Sequence, residues 1–180
     1  NSTLSNMFAD ATYEMSNPVF NKMSGKNIDI VLLNNGGIRS IISKGNISEK
    51  TAFELMPFEN SIVVLELSGL SIIKMIDYLR KVKLQHPISG LQITLNNDYS
   101  VNEVKINGVS IENEKKYYVA TTDYLLEGGD KMYFLAETTK TTDINYKMRD
   151  ILIDYFKKYD TLKLKSDNRF IRTKWIEKPF

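Results

Sequence analysis

The chain of 180 residues is 42% apolar and 26% charged, with 24 Lys and Arg against 22 Asp and Glu, one histidine and no cysteine. At roughly 100–200 residues per domain, this length predicts one domain with a sizeable core. A net charge of +2 gives no strong pull toward nucleic acid, the lack of cysteine excludes disulfides and thiolate zinc, and the lone His86 excludes any centre that needs a histidine pair from this chain alone.

No apolar run approaches the ~20 residues of a membrane span, and no basic-then-apolar leader opens the chain, whose first residue, Asn1, reads as the start of a trimmed or processed chain. Leu4, Met7, Phe8, Ala11 and Met15 fall at helical spacing, so a helix is predicted, ended by Asn17-Pro18. Ile28 to Leu33 reads as a buried strand that runs into the loop Asn34-Asn35-Gly36-Gly37-Ile38-Arg39. Ser48 caps a short helix that Pro57 ends, and Ser61 to Leu67 is a second strand. Ile72, Ile73, Ile76 and Leu79 share a helical face behind Ser68 or Ser71. Leu91 to Leu95, Val101 to Ile106 and Val109 to Ile111 form a meander with turns at Asn96-Asn97-Asp98 and Asn107-Gly108, and Tyr117 to Thr121 is a further strand. Met148, Ile151, Leu152, Tyr155, Phe156 and Tyr159 mark the last helix. Helices interleaved with strands and hairpins predict a single mixed α/β (α+β) domain.

Three loops carry candidate chemistry. In Asn34 to Arg39 two glycines let the backbone approach a ligand, and Arg39 offers a planar fork for phosphate, carboxylate or ribose oxygens; the same residues also make a tight turn with a surface arginine. Tyr124 to Asp130 follows a strand end, with Gly128-Gly129 between an aromatic ring and a carboxylate that can accept from hydroxyls, or else a plain glycine turn with a solvated acid. Phe58, on the loop after Pro57, can stack on a heterocycle at low entropic cost, or belong to the core. Neither a P-loop nor a dinucleotide fingerprint occurs. His86, restricted by Pro87 to extended backbone, is expected to be a surface or loop histidine. Asp150 and Asp154 fall on a solvated helix face, Asn46-Ile47-Ser48 matches a glycosylation sequon, and acids interrupt the basic stretch from Lys157 to Lys165.

Taken in order, these segments resemble the C-terminal domain of the 5'-nucleotidase family of metal-dependent phosphohydrolases. Leu4 to Ala11 is similar to the family's G-N-L-x-x-D-A helix, Asn34 to Arg39 to N-x-G-G-I-R, and Pro57-Phe58-Glu59-Asn60 with Ser68-Gly69 to P-F-x-N and a T-G turn. Ser89-Gly90-Leu91 resembles S-G-L, Tyr118-Val119-Ala120 resembles Y-x-V-A, and Gly128-Gly129-Asp130 resembles G-G-D. Tyr124 stands where the family usually has Phe, Lys131 stands where a Gly is typical, and the family's arginine ahead of the first helix is not in this chain.

The resemblance implies that residues 1–180 are the substrate-binding half of a two-domain enzyme, catalytically silent alone. An N-terminal metallophosphoesterase domain outside this chain, in cis or in trans, would hold two divalent metal ions; no cofactor is expected in this half. It further implies that Phe58 and Tyr124 sandwich the base of a nucleoside or nucleotide, that Asn34 and Asn60 bond around it with Gly36, Gly37 and Gly90 lining the pocket, and that Arg39 and Asp130 hold the phosphate and ribose. No nucleic acid or membrane span is expected, and the implied location is periplasmic, cell-surface or extracellular. The alternatives are a stand-alone ligand- or partner-binding module acting in trans without catalysis, and a structural domain whose pocket has degenerated.

Overall fold

Residues 2–82 and 85–173 are described by a computed structural model. Their strands form two sheets. The first contains β1 (Ile30–Leu32), β2 (Ser61–Ser68), β3 (Ile88–Ser89), β7 (Lys116–Thr122) and β8 (Lys140–Lys147), in the order β3-β1-β7-β2-β8. Within it β1 and β7 are parallel and the other neighbours antiparallel. Near-continuous apolar runs such as Ile28 to Leu33 follow from burial on both faces. Ile30, Leu32, Val63, Leu65 and Val119 point into one core, shared with α3 (Gly69–Lys81) and the second sheet. Val31, Leu33, Ile62, Val64 and Ala120 point into another, shared with α1 (Thr3–Ser24), α2 (Glu49–Leu55) and α5 (Met148–Lys158). The second sheet is the predicted meander, β4 (Leu91–Leu95), β5 (Val101–Ile106) and β6 (Val109–Ser110), extended by β9 (Phe170–Arg172) parallel to β4.

Several expectations are corrected. Helix α1 runs through Asn17-Pro18 to Gly25, which ends it in the left-handed conformation at φ 69°. Pro18 denies one bond to the Glu14 carbonyl, but Phe20 beyond it is buried against the Tyr118 ring, 5.5 Å between centroids, and Asn17 Oδ1 accepts the Ile28 N–H at 2.8 Å. Packing and this tie carry the helix past the proline. On α3 the buried face is Ile72, Met75, Ile76 and Leu79, whereas Ile73 is exposed. Three strands and a short helix, β3, β8, β9 and α4 (Asp123–Leu126), are additions: β8 is a polar edge strand in which only Ile144 is buried.

The C-terminal strand is held by charge as well as by β4. The Arg169 guanidinium, 13% exposed, bonds both Asp10 oxygens at 2.8 Å and the Ile88 carbonyl at 2.7 Å, while Ser89 Oγ donates to Asp10 Oδ1 at 2.8 Å. Asp10, from the first family-like element, thus serves to join α1, β3 and the chain end.

Candidate functional site

Strand direction decides which loops meet. Because β1 and β7 are parallel while β2 and β3 oppose them, the ends of β1 and β7 lie at the same edge of the first sheet as the starts of β2 and β3. The pairing of Ser61 with Lys147 brings the end of β8 there too. Residues 34–39, 57–60, 85–87, 123–131 and 147–149, scattered along the chain, therefore share one edge.

Hydrogen bonds stitch these loops together. Asp123 accepts from Asn60 Nδ2 at 2.8 Å, from the Ser61 N–H at 3.0 Å and from the Tyr124 N–H at 2.7 Å, tying the Phe58 loop to the Tyr124 loop. The Arg39 N–H donates to the Leu55 carbonyl at 2.9 Å, and the Arg39 guanidinium lies 5.1 Å from the centroid of the Phe58 ring. Arg149 rests 4.3 Å from the centre of the Phe53 ring, and with Lys147 it pairs with Glu59. Hydrogen bonds from Lys147 and Arg149 hold the exposed Glu59 carboxyl down at about 2. The edge thus presents two open aromatic rings, Phe58 at 37% and Tyr124 at 41% exposure, among cations and carboxylates.

Eight of the nine predicted site residues reach this edge. Asn34 covers its own turn, its Oδ1 standing 3.1 Å from where a Cβ on Gly37 would be, so Gly37 is small to admit that side chain. Gly36 is exposed at the tip of the 3-10 turn Asn35–Gly37. Asn60 spends its amide donor on Asp123. The Tyr124 hydroxyl donates to Asp130 Oδ1 at 3.2 Å, which satisfies the hydroxyl that a phenylalanine would lack. Gly90 does not reach this edge. It sits beside Asp29, at the opposite end of β1, with φ +74° and room for no Cβ, since one would meet the Asp29 carbonyl at 2.0 Å.

The loop after α4 is strained. Asp130 and Lys131 are consecutive left-handed residues, φ 51° and 60°, which explains why glycine suits position 131. Removing ~1–2 kcal/mol of such strain against ~0.5–1 kcal/mol of added unfolded-chain freedom gives a clear expectation. Lys131→Gly should raise stability by ~0.5–1 kcal/mol, read as a higher urea midpoint at unchanged slope.

His86 is not a surface residue. It is 7% exposed, buried under Tyr78 of α3, 5.8 Å between ring centroids, and its Nδ1 accepts the Asn35 N–H at 3.2 Å. Burial pushes the imidazole below its ordinary value, outweighing Asp130 and the Leu33 carbonyl, which act the other way. The Tyr78 hydroxyl donates to the Asp130 carbonyl at 2.8 Å. Asp123, Tyr78 and His86 were not among the predicted site residues. For Asp123 a signal exists, an acid between a strand end and a predicted ligand aromatic. For the other two the signal is purely spatial.

Among the described residues no group of three or more His, Cys, Asp or Glu could hold a metal ion, and no helix is long and apolar enough to cross a membrane. A cleft of about 640 Å³ lies elsewhere, between the end of α3 and β9.

Fold and edge together define a mixed α/β domain whose glycine and aromatic loops converge at one end of its first sheet. The sequence model described as 5'-nucleotidase, C-terminal domain, matches residues 1–137, and the chain belongs to that family. It is 32% identical over 115 residues to protein UshA of Escherichia coli, covering 61% of this chain and 20% of that protein. Over 144 residues it is 32% identical to cell wall protein Lmo0130 of Listeria monocytogenes, covering 72% and 18%. Among solved structures it matches the 5'-nucleotidase precursor of Thermus thermophilus with a TM-score of 0.81 at 24% identity, over 99% of this chain and 36% of that one. The NAD nucleotidase of Haemophilus influenzae gives 0.74 at 18% identity, over 97% and 34%. The chain therefore spans about a fifth of these curated relatives and about a third of these solved chains.

Proposed function

We propose that this chain is the nucleoside-recognition part of a 5'-nucleotidase-type phosphohydrolase and performs no hydrolysis by itself. The observation that carries this reading is the convergence of Phe58 and Tyr124, both open to solvent, with Arg39 and Asp130 at one sheet edge. The two rings take the faces of a base, which is sequence-tolerant stacking worth ~1–3 kcal/mol per contact. The free Asp130 oxygen accepts from a ribose hydroxyl, and Arg39 meets phosphate oxygens with its fork. Asn34 and the exposed Gly36 amide line the approach.

One imidazole, no thiol and the lack of a carboxylate cluster among the described residues do not fit a dinuclear metal centre. The phosphoryl chemistry is therefore assigned to a separate metallophosphoesterase domain, and none of its steps is drawn through this chain. The open face is what half of a cleft between two domains would show. A relative named as a cell wall protein supports a location at or beyond the cell surface.

Calorimetric titration with adenosine, adenosine monophosphate and ribose 5-phosphate tests the reading. Both adenine compounds should bind, the sugar phosphate much more weakly, and Phe58→Ala should weaken adenosine ~10–100-fold. No heat with adenosine at millimolar concentration, or an unchanged affinity in Phe58→Ala, overturns it.

A further inference from the structure

His86 makes none of the contacts proposed for a nucleoside, yet it lies between the loops that do. Pro87 accepts the Leu33 N–H at 3.0 Å, which sets the histidine against the end of β1, directly under the turn carrying Gly36 and Gly37. An Nδ1 that accepts the Asn35 N–H belongs to a neutral ring whose proton is on Nε2. The opposite side of the contact chain is equally defined: imidazole against Tyr78, Tyr78 hydroxyl to the Asp130 carbonyl, Asp130 carboxylate to the Tyr124 hydroxyl. Tyr78 is itself braced by the Phe134 ring, 5.6 Å away, so it transmits displacement rather than absorbing it.

We propose that His86 is a positioning residue that couples the first glycine loop to the second, so that the affinity of this face for a nucleoside follows the charge of one imidazole. The proposal rests on the nucleoside reading above for its ligand, and on the Asn35-His86-Tyr78-Asp130 contacts for its physics. A protonated ring has two donors and no acceptor. It would point an N–H at the Asn35 N–H and place a charge in a buried site, so the ring must turn and release the turn above it.

The charged and titratable groups facing the ring are few. From α3 comes the Tyr78 phenol, raised by burial and neutral throughout; from the second glycine loop comes Asp130, which favours the imidazolium; the Asn35 turn brings none. Burial opposes the charge and prevails, so the ring protonates below its ordinary 6.5. Affinity is therefore full above pH 6.5 and falls as pH drops through the lowered value.

The first measurement needs no ligand and no variant. Because this is the only imidazole in the chain, its ring resonances are unambiguous, and the Asn35 and Asp130 amide resonances of the whole chain should titrate with its midpoint. Movement of Asn35 alone overturns the coupling. The second is adenosine affinity at pH 8 and at a pH below the imidazole midpoint that the first measurement gives. His86→Ala should be weakened about 3–10-fold at pH 8, the worth of one hydrogen bond. His86→Gln, whose amide oxygen can still accept from Asn35, should restore affinity at pH 8 and keep it below that midpoint, where the unaltered chain loses it. A His86→Gln chain that retains the original pH dependence overturns the proposal. If the unaltered chain binds no adenosine, the nucleoside reading fails, and the amide titration still decides the coupling.

Discussion

Gly90→Ala is expected to lower the stability of the fold by ~3–4 kcal/mol, a large effect for one added methyl group. Two penalties combine at that position. A left-handed φ costs an L-residue about 1–2 kcal/mol, and the new Cβ would stand 2.0 Å from a backbone carbonyl that cannot swing aside, because Asp29 is fixed by its N–H to the Tyr118 carbonyl at 2.8 Å and by the Asn107 side chain on its own carbonyl. Chemical denaturation measures it. A pocket-lining glycine would behave oppositely, with stability unchanged and nucleoside affinity reduced, so one variant separates the family-derived role from the placement observed.

Gly129→Ala is expected to act on binding. A Cβ there would lie 2.4 and 2.6 Å from Cε1 and Cζ of the Tyr124 ring, and 2.6 Å from the Tyr124 carbonyl. The ring must leave its seat, and its bond to Asp130 goes with it. Adenosine affinity should fall ~10–100-fold, to the level of Tyr124→Ala, matching the loss of one stacking contact. Calorimetry on both variants checks this; equal affinity in Gly129→Ala and the unaltered chain would remove Tyr124 from the proposed clamp.

What the sequence discloses and what it hides have separate physical causes. The strands buried on both faces and the loops punctuated by Gly36-Gly37, Pro57 and Gly128-Gly129 are legible because local conformational demands write them. Strand β8 is not, since an edge strand needs few apolar residues: Lys140 to Lys147 reads as polar loop until β2 pairs with it. Pro18 misleads because a stop signal weighs less than the burial of Phe20 beyond it. His86 misleads for a related reason: the chain around it is loop-like, while its burial comes from Tyr78, on the preceding helix, and from a turn much earlier in the chain. Asn60 and Asp123 find each other only through the antiparallel pairing of β2 with β7.

The central place of β7 has a further consequence. It is inserted between β1 and β2, strands that lie far ahead of it in the chain, and its pairing with β1 joins Ile30 to Val119. Contacts so distant in sequence form slowly, and until this strand is seated the loops on either side of it have no common edge. A partly folded chain, however rich in helix and meander, would have nothing with which to grip a base. The proposed recognition would thus be a late product of folding, and a bound nucleoside would report that the middle strand is home.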